Sequence, residues 1–221
     1  MIKAVIFDMD GVLLDTERMM SECYFDLLTK MGLPNAKEIV QENLGIAGCE
    51  IQRRMGERFG SEKAGKKFYN KFCKTYVKRL ILEGFPVKEG VKDTLSYLKE
   101  KGYTLAVAST TDTVLVKTTL TLSGLRKYFD SVTGGTDVKN RKPAPDVYLK
   151  SMEKIGKTKD ECYAVEDSNV GVKAAISSGI KTIIIPDLIM PNEENTNRAF
   201  KIFNNMDELL QFFKKENEEP N

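Results

Sequence analysis

Five short apolar runs constrain the fold of this chain more than any other feature of its sequence. They are KAVIFD (3–8), YTLAVAS (103–109), FDSVTG (129–134), CYAVED (162–167) and KTIIIP (181–186). Most are nearly continuous in apolar residues rather than alternating, which is typical of parallel strands covered by helices on both faces of a sheet. We therefore predict a buried parallel sheet built from these runs.

Amphipathic helical patterns lie between the later strands. One apolar stripe runs from Val91 to Leu98, a second from Tyr148 to Ile155, and an alanine-rich segment covers 169–178. Alternation of strands and helices in this way indicates an α/β fold with a Rossmann-like, doubly wound parallel sheet.

The stretch 15–84 differs because it contains no strand-like run. Helical faces are visible along 20–31 and again along 68–80. We expect an inserted all-α cap domain of three to five helices at 15–84. The α/β core would then comprise 1–14 and 85–221.

Charge and apolar patterning exclude two classes of partner. The net charge of +2 offers no concentrated basic surface for a nucleic acid. No apolar run reaches the length of about 18 residues that a membrane-spanning helix needs, and the N-terminus lacks the features of a signal peptide. We expect a cytoplasmic protein with no nucleic-acid or membrane partner, and take a monomer as the default.

The chain contains no histidine. This excludes Ser-His-Asp and Cys-His hydrolases and histidine-ligated metal sites. Four cysteines lie far apart without a C-x-x-C pair, a spacing that favours reduced, packed thiols over zinc or disulfides. Catalysis would therefore depend on carboxylates, hydroxyls, lysines and a hard metal ion.

Polar residues follow the predicted strands at their carboxyl ends, the edge where open α/β sheets bind ligands. Two carboxylates close the first run, hydroxyls close the second, a lysine follows the third in a proline-containing loop, and an acidic pair closes the fourth. In chain order these residues are Asp8, Asp10, Ser109, Thr110, Lys142, Glu166 and Asp167.

Each of these groups has an ordinary structural explanation when it is taken alone. An acidic D-x-D-G segment forms turns, a serine after a strand is common in loops, and an acidic residue before a helix is an N-cap. The chemical alternative is that the carboxylates hold Mg²⁺ while the hydroxyls and the lysine bind phosphoryl oxygens. The order of the groups on successive strands favours the chemical alternative.

The ordered set resembles the haloacid dehalogenase-like superfamily. The four motifs are DMDG (8–11), Ser109, Lys142 and ED (166–167), and the resemblance covers essentially the whole chain. The segments FDMDGVLLDTE and KPAPD are similar to those of the β-phosphoglucomutase-like phosphatase subfamily, which carries a helical cap after the first strand.

The resemblance implies a mechanism that depends on the two aspartates. Asp8 would attack phosphorus and form an aspartyl-phosphate, and Asp10 would act as general acid and then as general base. Mg²⁺ would be held by Asp8, Asp10 (through its backbone carbonyl) and Asp167, with Glu166 close by.

The same resemblance assigns the remaining roles. Ser109, Thr110 and Lys142 would bind the phosphate, and Thr16 would lie at the hinge into the cap, near the substrate. The cap would cover the site and set specificity, with candidate contacts near Gly45–Cys49 and along Lys71–Lys78. The partner would be a small phosphorylated metabolite, with sugar phosphates the best expectation.

Two other functions stay open at this point. β-Phosphoglucomutases carry a histidine at about the position of Met20 and a cap arginine where this chain reads GIAGCEIQRR, with no arginine before Arg53. These departures favour hydrolysis over the mutase reaction. A phospho-accepting regulatory module is the more remote alternative, because receiver domains place their acidic pair after the first strand and have no inserted cap.

Overall fold

A parallel β-sheet organises the larger part of the computed structural model, which describes residues 2–44, 46 and 48–218. Within these residues the sheet has six strands, in the order β3-β2-β1-β4-β5-β6. The strands are β1 (Ala4–Phe7), β2 (Thr104–Ala108), β3 (Ser131–Thr133), β4 (Cys162–Glu166), β5 (Lys181–Ile184) and β6 (Lys201–Ile202).

All five predicted strands are present, each one to three residues shorter than its apolar run. Every neighbouring pair is parallel. The prediction of an α/β parallel sheet is therefore confirmed. Strand β6 was not predicted, because its two residues are exposed and form no apolar run.

Helices occupy the connections between the strands and most of the segment between β1 and β2. They are α1 (Thr16–Lys30), α2 (Ala36–Glu42), α3 (Gly48–Arg58), α4 (Glu62–Glu83), α5 (Val91–Glu100), α6 (Thr113–Leu122), α7 (Asp146–Ile155), α8 (Asn169–Ser177), α9 (Glu193–Arg198) and α10 (Met206–Glu218). Within the described ranges, none of them has the length and apolar character that crossing a lipid bilayer requires.

The chain divides into two units, one of Met1–Asp15 with Val87–Asn221 and the other of Thr16–Pro86. The boundaries expected from the sequence, 15–84 for the helical part, differ from this division by one residue at the first end and two at the second.

Small residues on one face of the sheet allow helices α7 and α8 to pack closely on it. Buried alanines of β1, β2 and β4 contact apolar residues of both helices in one cluster. Because side chains alternate along a strand, Val5 and Phe7 of β1 point to the opposite face, where they are fully buried. Helices therefore cover both faces, which explains the continuous apolar character of the strands.

The helical unit has a separate apolar core. Tyr24 of α1 packs edge-on against Phe68 and Phe72 of α4, with ring centroids 5.3 and 5.4 Å apart. Helices α3 and α4 approach so closely that a Cβ at Gly65 would overlap the backbone at Gly56. Between residues 15 and 84, the described part of the chain contains helices and no named strand, as expected from the pattern.

Candidate functional site

Strand register brings the predicted polar residues to one edge of the sheet. Phe7 of β1 is level with Val107 of β2 and with Val165 of β4. The residue that follows β1, Asp8, is therefore level with Glu166, and its backbone N–H donates to the Val165 carbonyl over 2.9 Å. Because β1 has β2 on one side and β4 on the other, this is the switch point of the sheet, where ligands bind in open α/β folds.

Lys142 contacts the carboxylates that follow β1 and end β4 at this edge. Its side chain is only 3% exposed, and its ammonium donates to the carboxylates of both Asp8 and Glu166. It also donates to the Ala108 carbonyl at the end of β2, over 3.0 Å. Two carboxylates and a backbone carbonyl, located at the ends of β1, β4 and β2, therefore meet at one ammonium group.

The Glu166 carboxylate is fully buried, and donors of the protein occupy both of its oxygens. Oε1 accepts from Lys142 and from the Tyr148 hydroxyl, the latter over 2.6 Å. Oε2 accepts from the backbone N–H of Asp167 over 3.2 Å and from the Ser168 hydroxyl over 3.4 Å. A Cβ at Gly171 of α8 would overlap this carboxylate, so glycine leaves the space that the carboxylate needs.

Asp8, Glu166 and Asp167 form a buried acidic cluster. One carboxylate oxygen from each lies within 4.8 Å of those of the other two. Hard divalent cations such as Mg²⁺ prefer carboxylate oxygens in this kind of arrangement, so the residues present fit the predicted ion. Among the described residues, the side chain of Asp10 is not part of this cluster, and its expected contribution was through its backbone carbonyl.

The electrostatics of the cluster also favour a cation. Burial, together with the charges of Glu166 and Asp10, raises the pKa of Asp8 to about 8, although Lys142 opposes the shift. Burial and the neighbouring carboxylates raise the pKa of Asp167 to about 9. Burial alone would lower the pKa of Lys142, but two adjacent carboxylates outweigh it and the pKa is raised. One ammonium thus does not compensate the carboxylates around it.

The hydroxyl residues after β2 lie beside the Lys142 contact. Ser109 is buried, and its hydroxyl oxygen accepts from the Thr111 N–H over 3.1 Å, which leaves the hydroxyl hydrogen available to another acceptor. The Thr111 hydroxyl lies 3.5 Å from Asp10 Oδ2. Thr110 is half-buried, and its carbonyl lies against Gly135.

Asp10 follows the end of β1 and forms an isolated bridge with Leu14, and the chain turns between these two residues. Strand β1 ends at Phe7, and the N–H groups of Leu13 and Leu14 both donate to the Met9 carbonyl over 3.0 Å. The expectation that the two side chains point to the same side stays a prediction, although the charge of Asp10 does act on the Asp8 carboxyl and raises its pKa. A larger residue than glycine at the next position would overlap the Asp167 carboxylate.

The residues expected to lie in the cap belong to the helical unit. Thr16 is buried and is the first residue of α1, directly at the boundary between the two units. In the candidate segment Gly45–Cys49, Gly45 and Ala47 lie outside the described residues, and Cys49 is exposed. Lys71–Lys78 lies within α4.

Four residues at or near the site were not predicted. Tyr148 lies on the apolar stripe of α7, and that pattern indicates only a core residue, which Tyr148 also is. Thr111 follows two hydroxyl residues that were predicted, and only its neighbours pointed to it. Lys88 and Asp187 form a partly buried pair that contacts Gly11, and no local pattern connects two residues so far apart in the chain.

Comparison with known proteins places these features in a family context. Residues 5–185 match the family model described as haloacid dehalogenase-like hydrolase. A phosphorylated carbohydrates phosphatase of Thermotoga maritima is 34% identical over 182 residues, which cover 82% of this chain and 84% of that protein.

Two solved structures extend the similarity over nearly the whole chain. A Thermotoga maritima protein named provisionally as a beta-phosphoglucomutase superposes with a TM-score of 0.83 at 29% identity, covering 97% of this chain and 99% of the other. CbbY of Rhodobacter sphaeroides, solved in complex with phosphate, superposes with a TM-score of 0.70 at 26% identity, covering 95% and 96% of the two chains.

Proposed function

This chain belongs to the haloacid dehalogenase-like hydrolase family, and we propose that it is a phosphatase for small phosphorylated carbohydrates that acts through Asp8. The observation that carries the proposal is the position of the Asp8 carboxylate. It accepts from the buried Lys142 ammonium and lies in one cluster with Glu166 and Asp167. A carboxylate with a cation on one side and an acidic pair on the other is suited to attack a phosphoryl group.

In the first step, an oxygen of the ionised Asp8 carboxylate bonds to phosphorus while the bond from phosphorus to the sugar oxygen breaks. Asp10 donates a proton to the departing oxygen, so the product alcohol leaves uncharged. The Thr111 hydroxyl, 3.5 Å from Asp10 Oδ2, is placed to orient that carboxyl. The result is an aspartyl-phosphate and a free sugar.

In the second step, Asp10 takes a proton from water, and the water oxygen attacks phosphorus. The bond to Asp8 breaks, inorganic phosphate leaves, and both aspartates return to their initial state. Lys142 and the Ser109 hydroxyl would neutralise or donate to the non-bridging phosphoryl oxygens in both steps.

Mg²⁺ is the cofactor that the acidic cluster fits best. Asp8 and Asp167 would hold it, together with the backbone carbonyl of Asp10, and Glu166 would lie close by. When bound, the ion would supply positive charge to the phosphoryl oxygens and to the two carboxylates whose pKa values are raised.

The carbohydrate part of the substrate is proposed from the relative of Thermotoga maritima, which is named for phosphorylated carbohydrates. The helical unit is the proposed source of selectivity among them. The mutase is the second candidate, since a protein named provisionally as a beta-phosphoglucomutase superposes over 97% of the chain. The lack of any histidine supports the phosphatase, because the mutases resembled by this sequence carry one near Met20.

Phosphorus NMR distinguishes the two candidates. The purified protein with Mg²⁺ is mixed with β-glucose 1-phosphate, hexose 6-phosphates and a trace of glucose 1,6-bisphosphate. A phosphatase produces inorganic phosphate, whereas a mutase converts the 1-phosphate signal into the 6-phosphate signal without free phosphate. Asp8→Asn removes the nucleophile with little change of shape, and we expect it to abolish the reaction.

The matched control is Asp160→Asn, which makes the same chemical change at an exposed position. It should retain the wild-type rate. Phosphate release by Asp8→Asn at a rate comparable to wild type would contradict the proposed nucleophile.

A further inference from the structure

A partly buried ion pair contacts the turn that follows Asp10. The Lys88 ammonium donates to the Gly11 carbonyl over 2.7 Å and to the Asp187 carboxylate over 2.6 Å. The side chains of Lys88 and Asp187 are 20% and 5% exposed. Three segments that are far apart in the sequence therefore meet at the Gly11 carbonyl, one residue after Asp10.

Backbone contacts fasten the same turn from the same side. The Lys88 N–H donates to the Leu13 carbonyl over 3.1 Å, and Val87 forms an antiparallel bridge with Leu14. Inside the turn, the Gly11 N–H donates to the Leu14 carbonyl over 2.9 Å. The turn is thus closed by its own hydrogen bonds and anchored by the residues that precede α5.

Gly11 lies between two charged groups. On one side a Cβ would overlap the Asp167 carboxylate of the acidic cluster, and on the other side the Lys88 ammonium holds its carbonyl. Its φ of +86° is in the left-handed region, where glycine adopts the backbone conformation at low cost. A displacement of Gly11 would therefore move the adjacent Asp10 and would also change the contact of Gly11 with the Asp167 carboxylate.

Stability alone is a weak reason for such a pair. The desolvation of two partly buried charges offsets much of their attraction, so the pair is weak evidence for a gain in stability. Asp187 Oδ2 is also buried without a hydrogen-bond partner among the described residues, which adds to the cost of the pair. A pair that is costly to bury and that donates a hydrogen bond to the Gly11 carbonyl indicates a role in positioning the turn.

We propose that Lys88 and Asp187 are positioning residues that hold the Met9–Leu14 turn, and with it Asp10, in the geometry required for proton transfer. Asp187 fixes the direction of the Lys88 side chain, and Lys88 fixes the Gly11 peptide. Neither residue touches the substrate. The kinetic consequence rests on the proposed phosphatase function, whereas the effect on the turn does not.

Two measurements on Lys88→Met test the proposal. Methionine keeps most of the length and apolar stem but cannot donate. Hydrogen exchange read by mass spectrometry on a peptide covering 8–14 should show the amides of the turn exchanging about tenfold faster, as expected for loss of one charge-assisted hydrogen bond. In steady-state assays with wild-type metal and substrate, kcat should fall about tenfold while KM changes less than about twofold.

The control is Lys99→Met, which removes another lysine that bridges to a carboxylate. Lys99 binds Asp130, and Asp130 accepts from the Leu105 N–H at the start of β2, the end of the sheet opposite to the site. This variant should leave both the turn peptide and kcat unchanged. Lys88→Arg keeps the charge and donors, and should recover most of the exchange protection.

The outcomes separate the possible failures. Unchanged exchange in the 8–14 peptide of Lys88→Met would overturn the positioning role, whether or not the protein is a phosphatase. A wild-type protein without phosphatase activity would refute the proposed function and leave the exchange result to decide on the turn. If Lys88→Met does not fold, Asp187→Ala, which removes the carboxylate that fixes the direction of the Lys88 side chain, decides by the same two measurements.

Discussion

Replacement of Tyr148 by phenylalanine removes one hydroxyl from the centre of the site and leaves the ring in place. That hydroxyl donates to Glu166 Oε1 over 2.6 Å, and both side chains are fully buried. The Tyr148 ring also lies 5.1 Å from the Lys142 ammonium, a contact that phenylalanine retains. The substitution therefore isolates a single hydrogen bond to a buried carboxylate.

The cost of the substitution follows from the charge and burial of the acceptor. A hydrogen bond to a charged group contributes about 1.5–3 kcal/mol, and no water replaces the hydroxyl at a fully buried position. For a chain of this size, each kcal/mol lowers Tm by about 2–4 °C, so we expect Tyr148→Phe to lower Tm by about 3–12 °C. Lys142 would remain as a donor to the same oxygen, which keeps the loss near the lower end.

The same substitution should also lower kcat, because the Tyr148 hydroxyl restrains Glu166. Glu166 holds Lys142 opposite Asp8, and without the tyrosine hydroxyl its carboxylate has one restraint fewer. A loss of about 1 kcal/mol in transition-state stabilisation corresponds to about a fivefold lower kcat. Phosphate release and scanning calorimetry on the same preparation measure both effects.

Tyr163→Phe is the matched control because it makes the same chemical change in a buried tyrosine of β4. Its hydroxyl contacts the exposed Glu216 over 3.3 Å, a longer bond to a solvated partner. We expect a Tm within about 2 °C of wild type, since solvated hydrogen bonds contribute little. A Tm loss in Tyr148→Phe no greater than in Tyr163→Phe would refute the reasoning from burial.

Three further predictions concern the acidic cluster. Because the pKa values of Asp8 and Asp167 are raised to about 8 and about 9, Mg²⁺ binding should release protons, and its affinity should rise from about pH 6 to about pH 9. Calorimetric titration in two buffers of different ionisation enthalpy measures that release, and an affinity independent of pH would contradict it. By the same linkage, the metal-free protein should lose stability as pH rises from about 4 through these pKa values, which thermal unfolding across that range checks. Gly171→Ala, normally favourable in a helix, should instead destabilise by about 1–3 kcal/mol because its Cβ overlaps the hydrogen-bonded Glu166 carboxylate, and a raised Tm would contradict this.

The fold was predictable where burial requires a recognisable pattern of apolar residues in the local sequence. Strands buried on both faces need continuous apolar runs, and all five such runs form strands. Helix α6 has a less distinct amphipathic pattern. Threonines interrupt its apolar stripe, and Val114, Leu115 and Leu122 are apolar but exposed. Strand β6 has two exposed residues and pairs only with β5, so nothing local marks it.

Site residues were predictable where the fold itself brings them together. Parallel strands end at one edge, so Asp8, Ser109 and Glu166 could be placed near one another once the runs were taken as strands. Long-range pairing was not predictable. Lys88 and Asp187 are held together by the tertiary structure alone, and each taken separately is an ordinary charged residue of a loop.

The acidic pair after β4 illustrates how the structure divides roles that the sequence presents as equal. Both oxygens of Glu166 accept hydrogen bonds from the protein, and one of the donors is Lys142. Asp167 instead lies against Gly11 with its pKa raised by burial and by neighbouring carboxylates, so it gains most from an added cation. Glu166 is therefore better suited to hold the lysine that faces Asp8, and Asp167 to hold the metal ion. The two residues are adjacent in sequence, so the sequence alone does not distinguish them. The contacts of each carboxylate in the structure do, and they favour a positioning role for Glu166 and a ligand role for Asp167.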